Sequence, residues 1–368
     1  MAHRHVSRIG ILTGGGDCQG LNAVIRAVTK TASTVFGAEV VGFRDGYHGL
    51  VFDRTLKLHY DDVSGILTRG GTILGMSRRD SFFRIAGADR KIDGPDRTSR
   101  ARAVFKKHGL SCLSCVGGEG TLTVAAHLDR SGLPVVGVPK TIDNDVPFTD
   151  QTFGFDSALA VATEAVDRLH STAESHHRVM VLEVMGRHAG WIALHAGIAG
   201  GGDVILVPEI PFSWESVCGA VKTRARHGRK FSIIVVAEGA VPRGGTATGT
   251  GAKDGLNRVR LGGIGNIVAT EIEKRTGLES RATILGYLQR GGQPTPYDRV
   301  LATRYGHAAA LFSARGMTGV MTALRSGKID PVPLTLVSGG RPRTVPLNSP
   351  LLMAARAVGT TFGDEKTG

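Results

Sequence analysis

Seven apolar runs in this chain each stop at a glycine, a charged residue or both, and this regularity constrains the fold more than any single motif. Ser7–Thr13 runs into Gly14-Gly-Gly, Ser111–Val116 into Gly117-Gly-Glu-Gly-Thr121, and Leu133–Val138 into Pro139-Lys-Thr-Ile-Asp-Asn-Asp145. Arg178–Val184 leads into Met185-Gly-Arg187, Asp203–Val207 into Pro208-Glu209, Phe231–Ala237 into Glu238-Gly239, and Arg281–Leu285 into Gly286-Tyr287. Short β-branched runs bounded in this way read as buried strands. If they lie in parallel sheets, their polar ends share an edge, which is where open α/β sheets bind ligands.

Helical spacing fills the intervals, over Leu21–Val35, Ser99–Lys107, from Leu122 onward, Phe155–Ala173, Trp191–Ala199 and Arg299–Phe312. Glu39–Gly42 reads as a further strand, Asp45–Gly49 as a turn, 244–265 as a mobile surface insertion, and the C-terminal segment as short runs. At 368 residues two domains are the default. The 52 glycines sit at the ends of apolar runs, which argues for backbone close to ligands rather than for a linker.

A formal charge of +13 suits an anionic partner, while only five tyrosines make base-stacking platforms sparse, so no nucleic acid is expected. Four cysteines are too few for a disulfide framework, and Cys112-x-x-Cys115 has no second pair for zinc. They read as free thiols in a reducing cytoplasm. The first residues lack a signal-peptide apolar segment and no run is long enough to span a membrane, so a cytoplasmic protein without a membrane partner is expected.

Several of the strand ends carry chemistry. Gly14–Gly20 lies between a strand and a helix, the arrangement in which bare N–H groups and a helix N-terminus hold phosphate, although no Walker lysine follows. Arg69-Gly-Gly-Thr-Ile-Leu-Gly75 precedes Arg78 and Arg79, which suit polyphosphate contact or an exposed basic loop. Glu119 among glycines suits a carboxylate on Mg²⁺ beside phosphates. In Pro139–Asp145, Asp143 suits a base for a substrate hydroxyl and Asp145 a metal or loop-orienting role; an ordinary helix cap uses the same residue types. His176-His177 has no further ligand at metal spacing and reads as a helix end or surface pair.

In order from about Ile9 to Arg325, Gly-Gly-Asp-x-x-Gly-x-Asn-Ala-x-Ile-Arg, Gly-Gly-Glu-Gly-Thr, Pro-Lys-Thr-Ile-Asp-Asn-Asp, Met-Gly-Arg and Gln-Arg-Gly-Gly jointly resemble the phosphofructokinase family. The resemblance implies an α/β fold of two Rossmann-like three-layer domains with mainly parallel sheets and the active site in the cleft between them. Residues 1–153 plus about 288–340 would bind the donor, and about 154–287 plus the C-terminal segment the sugar phosphate. It implies phosphoryl transfer to the 1-hydroxyl of fructose 6-phosphate with Mg²⁺. By resemblance Asp143 is the base, with Thr141, Ile142 and Asp145 lining the transfer site. Arg187, with Met185 and Gly186, holds the sugar and the transferring phosphoryl, and Glu238 binds sugar hydroxyls. Arg178, Arg281 and Arg290 grip the 6-phosphate side, where Tyr287, Leu288 and Gln289 also fall. Arg178 and Arg281 would come from a neighbouring subunit, which implies a homo-oligomer, a dimer or tetramer with shared sites. Gly16, Arg78, Arg79 and Gly118, Glu119, Gly120 and Thr121 bind the donor, with Glu119 on the metal. Tyr287 in place of histidine implies a different sugar-phosphate contact, whereas Gln19 in place of proline and Gly14 in place of serine remove no charge or catalytic group.

Two positions sort the donors in similar members. Gly120 leaves open the space that an aspartate closes to the ATP α-phosphate in pyrophosphate users, whereas Lys140 is the residue those users carry. ATP is expected, because an absent steric and charge block constrains more than an added cation; pyrophosphate is the alternative. Kinases with Gly-Gly-Asp-Gly-Thr that act on NAD or lipids share only the Gly117–Thr121 pattern. A dehydrogenase would find Glu39 about 20 residues beyond the first glycine loop, yet leaves the other loops unexplained.

Overall fold

A computed structural model of the protein describes residues 6–76, 84–86, 91–93, 96–253 and 259–365, with side chains described except at 84–86, 91–93, 250, 252–253 and 259–260. The first half of the chain contains β1 (Arg8–Thr13), α1 (Leu21–Phe36), β2 (Glu39–Phe43), α2 (Tyr47–Phe52), β3 (Thr55–Leu58), β4 (Arg84–Ala86), β5 (Lys91–Asp93), α3 (Thr98–Lys107), β6 (Cys112–Gly117), α4 (Glu119–Arg130), β7 (Val135–Pro139) and α5 (Phe155–His176). There follow β8 (Val179–Val184), α6 (Trp191–Ala199), β9 (Val204–Leu206), α7 (Trp214–Arg226), β10 (Ser232–Ala237), β11 (Gly249–Lys253), β12 (Val259–Leu261), α8 (Ile264–Thr276) and β13 (Ser280–Ile284). A 3-10 turn at Gly286–Arg290 leads to α9 (Pro296–Ala314), β14 (Val320–Arg325), β15 (Lys328–Pro333), α10 (Leu334–Gly339) and α11 (Pro350–Ala357).

These elements make two compact units. The first, Met1–Ile142, Val146–Ser157 and Arg290–Arg341, holds a seven-stranded sheet in the order β15-β14-β7-β6-β1-β2-β3. Its five inner strands run parallel, and β15 and β3 close the edges antiparallel. The two-residue period of a strand sends alternate side chains to opposite faces. In β6 the Cys112 thiol meets Ser313 of α9, whereas Cys115 meets Tyr47 of α2. Helices therefore cover both faces: α1 and α9 on one, α3, α4 and α10 on the other.

The second unit, Asp143–Asp145, Ala158–Gln289 and Pro342–Gly368, is built on a four-stranded, wholly parallel sheet in the order β13-β8-β10-β9. Helices α7 and α8 cover one face with Val217, Val221, Val268 and Ile272 against Val181, Ile234 and Val236. Helix α6 packs on the other face. Glu183, buried within β8, accepts the N–H groups of Gly263 and Gly265 at 3.0 and 2.7 Å. Helix α8 begins after a glycine that has no side chain to cap it, and the buried carboxylate satisfies those donors from the sheet. Beyond β9 the edge is bridged by Thr361, parallel to Val204.

The α/β class and the mainly parallel strands agree with the sequence reading; local boundaries differ for physical reasons. The seven apolar runs are divided, three in the first sheet and four in the second. The turn expected at Asp45–Gly49 opens helix α2, anchored by Tyr47, whose hydroxyl donates to the Thr121 carbonyl at 2.7 Å. Helix α4 starts at Glu119 rather than Leu122, because extended Gly118 is its cap, so Glu119 and Gly120 form the first turn. Helix α9 starts at Pro296, where Thr295 Oγ1 accepts the Asp298 N–H and proline suits the first turn. The 244–265 stretch contributes the antiparallel pair β11–β12, and the C-terminal short runs include the hairpin β14–β15 and helices α10 and α11. Only Val204–Leu206 of the Asp203–Glu209 run is strand. Among the described residues no helix is long and apolar enough to cross a membrane.

Candidate active site

In the first unit the carboxyl ends of β1, β6 and β7 bring together two glycine-rich loops and the start of the Pro139–Asp145 loop. The Gly14 N–H donates to the Val116 carbonyl at 2.8 Å, and the Lys140 N–H to the Gly117 carbonyl at 3.0 Å. The loops are close enough to exclude side chains. A Cβ on Gly117 would stand 2.4 Å from Thr121 Cβ and Oγ1, below any real contact. Gly16, Gly118, Glu119, Gly120 and Thr121 are thus gathered at one sheet edge, with Glu119 half-buried and Gly120 exposed at the start of α4. Lys140, itself buried, donates its ammonium to the Gly16 carbonyl and so ties the β7 loop to the first loop. Thr141 follows, its carbonyl accepting Thr152 Oγ1 at 2.8 Å, and Ile142 is buried.

Residues that the sequence reading left without a role hold the next loop in place. The Asn22 amide donates to the carbonyls of Arg69 and Gly70 at 3.1 and 3.2 Å, and its Oδ1 accepts the Ile73 N–H at 2.9 Å. Thr13 Oγ1 donates to the Gly75 carbonyl at 3.1 Å. An asparagine on the first helix after a glycine loop was visible in the sequence, but its partners 47 to 51 positions away were not. Arg78 and Arg79 lie outside the described residues. Arg290, expected on the sugar-phosphate side, donates to the Asp17 carbonyl of the first loop at 2.9 Å. Glu39, at the distance of a ribose-binding acid, is engaged by Arg8 at 2.7 Å. Cys18, Cys112 and Cys115 are buried free thiols, each pushed up to about 12 by burial.

In the second unit the carboxyl ends of β8 and β10 carry Met185, Gly186, Arg187 and Glu238. The Glu238 N–H donates to the Val184 carbonyl at 2.8 Å and the Gly239 N–H to the Gly186 carbonyl at 3.1 Å. A Cβ on Gly239 would lie 2.2 Å from the Arg187 carbonyl oxygen, so backbone fixes these two loops against each other. Fully buried Gln289 accepts the Met185 N–H at 3.2 Å, while its neighbours Tyr287 and Leu288 are each 69% exposed.

The Asp143–Asp145 loop of this unit is fastened from the far end of the chain. Asn144 is buried and left-handed, with φ 51°. The Arg343 N–H donates to the Asp145 carbonyl at 2.8 Å and Arg343 Nη1 to the Asn144 carbonyl at 3.3 Å. Glu209 accepts the Gly190 N–H at 3.0 and 3.1 Å and the Val345 N–H at 2.8 Å, and burial pushes its carboxyl above the ordinary value. Burial and the Arg343 charge hold His195 below the ordinary imidazole value.

Two of the expected phosphate arginines stand elsewhere. Arg178 immediately precedes β8 and Arg281 is the second residue of β13, whereas Met185–Arg187 follow the other end of β8. A strand of six residues spans about 20 Å. Within one chain, therefore, Arg178 and Arg281 do not meet Arg187. Both are paired with Glu279, at 2.9 and 2.6 Å.

Comparison with known proteins gives a consistent result. Residues 8–313 match the family described as Phosphofructokinase. The chain is 54% identical to the ATP-dependent 6-phosphofructokinase of Chloroflexus aurantiacus, over 97% of this chain and 98% of that one. It is 55% identical to the pyrophosphate–fructose 6-phosphate 1-phosphotransferase of Amycolatopsis methanolica, over 89% of this chain and 93% of that one. The phosphofructokinase structure from Saccharomyces cerevisiae superposes with a TM-score of 0.75 at 33% identity, covering 90% of this chain, which spans 45% of the yeast chain. The pyrophosphate-dependent phosphofructokinase from Marinobacter aquaeolei has the same fold, with a TM-score of 0.78 at 24% identity over 97% of this chain and 88% of that one.

Proposed function

The chain belongs to the phosphofructokinase family, and we propose that it is an ATP-dependent 6-phosphofructokinase, converting fructose 6-phosphate and ATP to fructose 1,6-bisphosphate and ADP. The observation that carries the donor is the first turn of α4. Gly120 is exposed there without a side chain, leaving room for an α-phosphate, while Lys140 is engaged by the Gly16 carbonyl. The backbone amides of the first loop and of the α4 N-terminus suit the donor phosphates.

In this reading Asp143 accepts the proton of the sugar 1-hydroxyl as that oxygen bonds to the γ-phosphorus, and the bridging P–O bond breaks to release ADP. Arg187 stabilises charge on the transferring group, Thr141 and Asp145 position it, and Glu238 orients the sugar through its hydroxyls. Positioning and electrostatics supply most of the acceleration in phosphoryl transfer. Glu119 fits a magnesium ion, which takes one or two carboxylates and completes its shell with substrate phosphates. Bound there, the ion would neutralise phosphate charge.

Arg178 and Arg281 grip the 6-phosphate of a neighbouring subunit's substrate, a reading supported by their place at the far end of β8 from Arg187. The protein then works as a homo-oligomer, a dimer or tetramer. A cytoplasmic location accompanies this reading, supported by four cysteines that are all free and buried.

The second reading, pyrophosphate as donor, is favoured by Lys140 and by the similarity to the Amycolatopsis transferase. Product formation from fructose 6-phosphate and Mg²⁺, with ATP and pyrophosphate run side by side, separates the two. Turnover with ATP alone is expected, and Gly120→Asp should abolish it. Turnover with pyrophosphate but not ATP would overturn the donor assignment.

A further inference from the structure

The loop that carries Asp143 is short, buried at Asn144 and held in a backbone conformation that non-glycine residues seldom adopt. Such a loop stays in place only where its surroundings over-determine it. The carbonyls of Asn144 and Asp145 both meet one residue, Arg343, the first by the guanidinium at 3.3 Å and the second by the backbone N–H at 2.8 Å. The same guanidinium lies over the Trp191 ring, 4.4 Å from its centroid, and Trp191 Nε1 returns a hydrogen bond to the Arg343 carbonyl at 2.9 Å. Trp191 opens helix α6 directly after Gly190, whose N–H shares the Glu209 carboxylate with Val345. The Arg343 guanidinium is therefore held over an indole that is itself fixed, and its Nη1 reaches the loop.

We propose that Arg343 is a positioning residue for the reaction: its guanidinium, stacked on Trp191 and bonded to the Asn144 carbonyl, sets the orientation of the neighbouring Asp143 carboxylate. The proposal rests on the reading of Asp143 as the base. The geometry separates orientation from anchoring. The backbone bond to Asp145 and the Glu209–Val345 bond survive any change of the Arg343 side chain, so the segment stays docked while the Asn144 carbonyl loses its donor. Arginine suits the task because its planar fork stacks and donates at once, which a lysine ammonium does not. Small misplacements of a reacting group are costly, about a hundredfold for roughly 1 Å.

The test compares Arg343→Met and Arg343→Lys with Val221→Ala, a core change on α7 that lowers melting temperature without touching the loop. Arg343→Met should lower kcat about 10- to 100-fold with the KM for fructose 6-phosphate little changed. Arg343→Lys should recover part of kcat, and Val221→Ala should keep kcat at a comparable melting temperature. Amide hydrogen exchange supplies a readout independent of turnover: Arg343→Met should speed exchange in the 141–146 peptide and leave the α6 peptide unchanged. Unchanged exchange in 141–146, or faster exchange with kcat intact, would overturn the proposal. So would a raised KM with kcat unaltered, which would make Arg343 a charge for the anionic substrate. A wild-type chain that forms no product from fructose 6-phosphate would refute the reading of function instead, and the exchange measurement then decides the clamp alone.

Discussion

The functional ends of the two sheets differ in which of two means dominates, although Lys140 and Asn22 also tie loops in the first and Gly239 also closes on Arg187 in the second. In the seven-stranded unit, glycines keep side chains out so that loops close on one another, as at Gly14, where a Cβ would lie 2.6 Å from Thr121 Oγ1. In the four-stranded unit, side chains do the holding, with Arg343 on the Asn144 carbonyl, Glu209 on Gly190 and Val345, and Gln289 on Met185. The first kind of site is specified locally, by what is absent from a few consecutive residues. The second is specified by partners remote in the chain and fails by loss of a contact rather than by a clash.

That contrast can be broken or sharpened by experiment, starting with the largest effect. Asp143→Asn should lower kcat by about 10² to 10⁴, the range for loss of a general base, with substrate KM retained. A variant as active as wild type would remove the chemical reason for a held loop. Next is an exception within the glycine-shaped unit. Asp298 is fully buried, accepts the Ser157 N–H and O–H at 2.8 and 2.6 Å, and is pushed up to about 6 by burial. Below the unfolded-state value both states hold the proton. As pH rises toward 6 the unfolded chain gives up its proton first, so folded stability falls and the loss is complete above 6. Asparagine has no such loss. Urea melts should show Asp298→Asn gaining on wild type by about 2 kcal/mol between pH 4 and pH 7; a constant difference would mean the carboxyl is not penalised by burial.

Gly117→Ala forces a methyl group onto Thr121 and should cost about 1–3 kcal/mol as overpacking, with a raised KM for the donor and little change for the sugar. Melting curves and donor titration check both, and equal effects on the two substrates would undo the contrast. The smallest expected change is Trp191→Phe, which removes the hydrogen bond to the Arg343 carbonyl but keeps a ring under the guanidinium. About 1 kcal/mol of stability should be lost, with Asp143-dependent turnover falling less than in Arg343→Met.

What could be read from the sequence follows the same division. Short β-branched runs with glycine or charged ends located β1, β6, β7, β8, β10 and β13, and the α/β class follows from them, because those signals are local. The division of the strands into two sheets was not legible in the runs themselves, which look alike until their partners are known; only the family resemblance divided the chain, near residue 153. Gly118 as a helix cap was hidden inside a glycine run, so α4 begins earlier than its apolar spacing suggests. Glu39 matched a spacing rule for the wrong reason, as an ion-pair partner of Arg8. Glu209 read only as the end of a strand, and Arg343 as one of many scattered arginines. Neither has a neighbour in sequence that betrays its contact.

The fastening of Asn144 by Arg343 joins positions 199 residues apart, and that distance has a consequence on the ribosome. At about 5–20 residues per second, some 10–40 seconds of synthesis separate the emergence of the Asp143 loop from the arrival of the residue that grips it. The four-stranded sheet gathers all of its strands in that interval and the seven-stranded sheet its last two, yet Asn144 must wait in its left-handed conformation or adopt it afterwards. The loop that carries Asp143 is thus among the last parts of the protein able to reach its final form during translation.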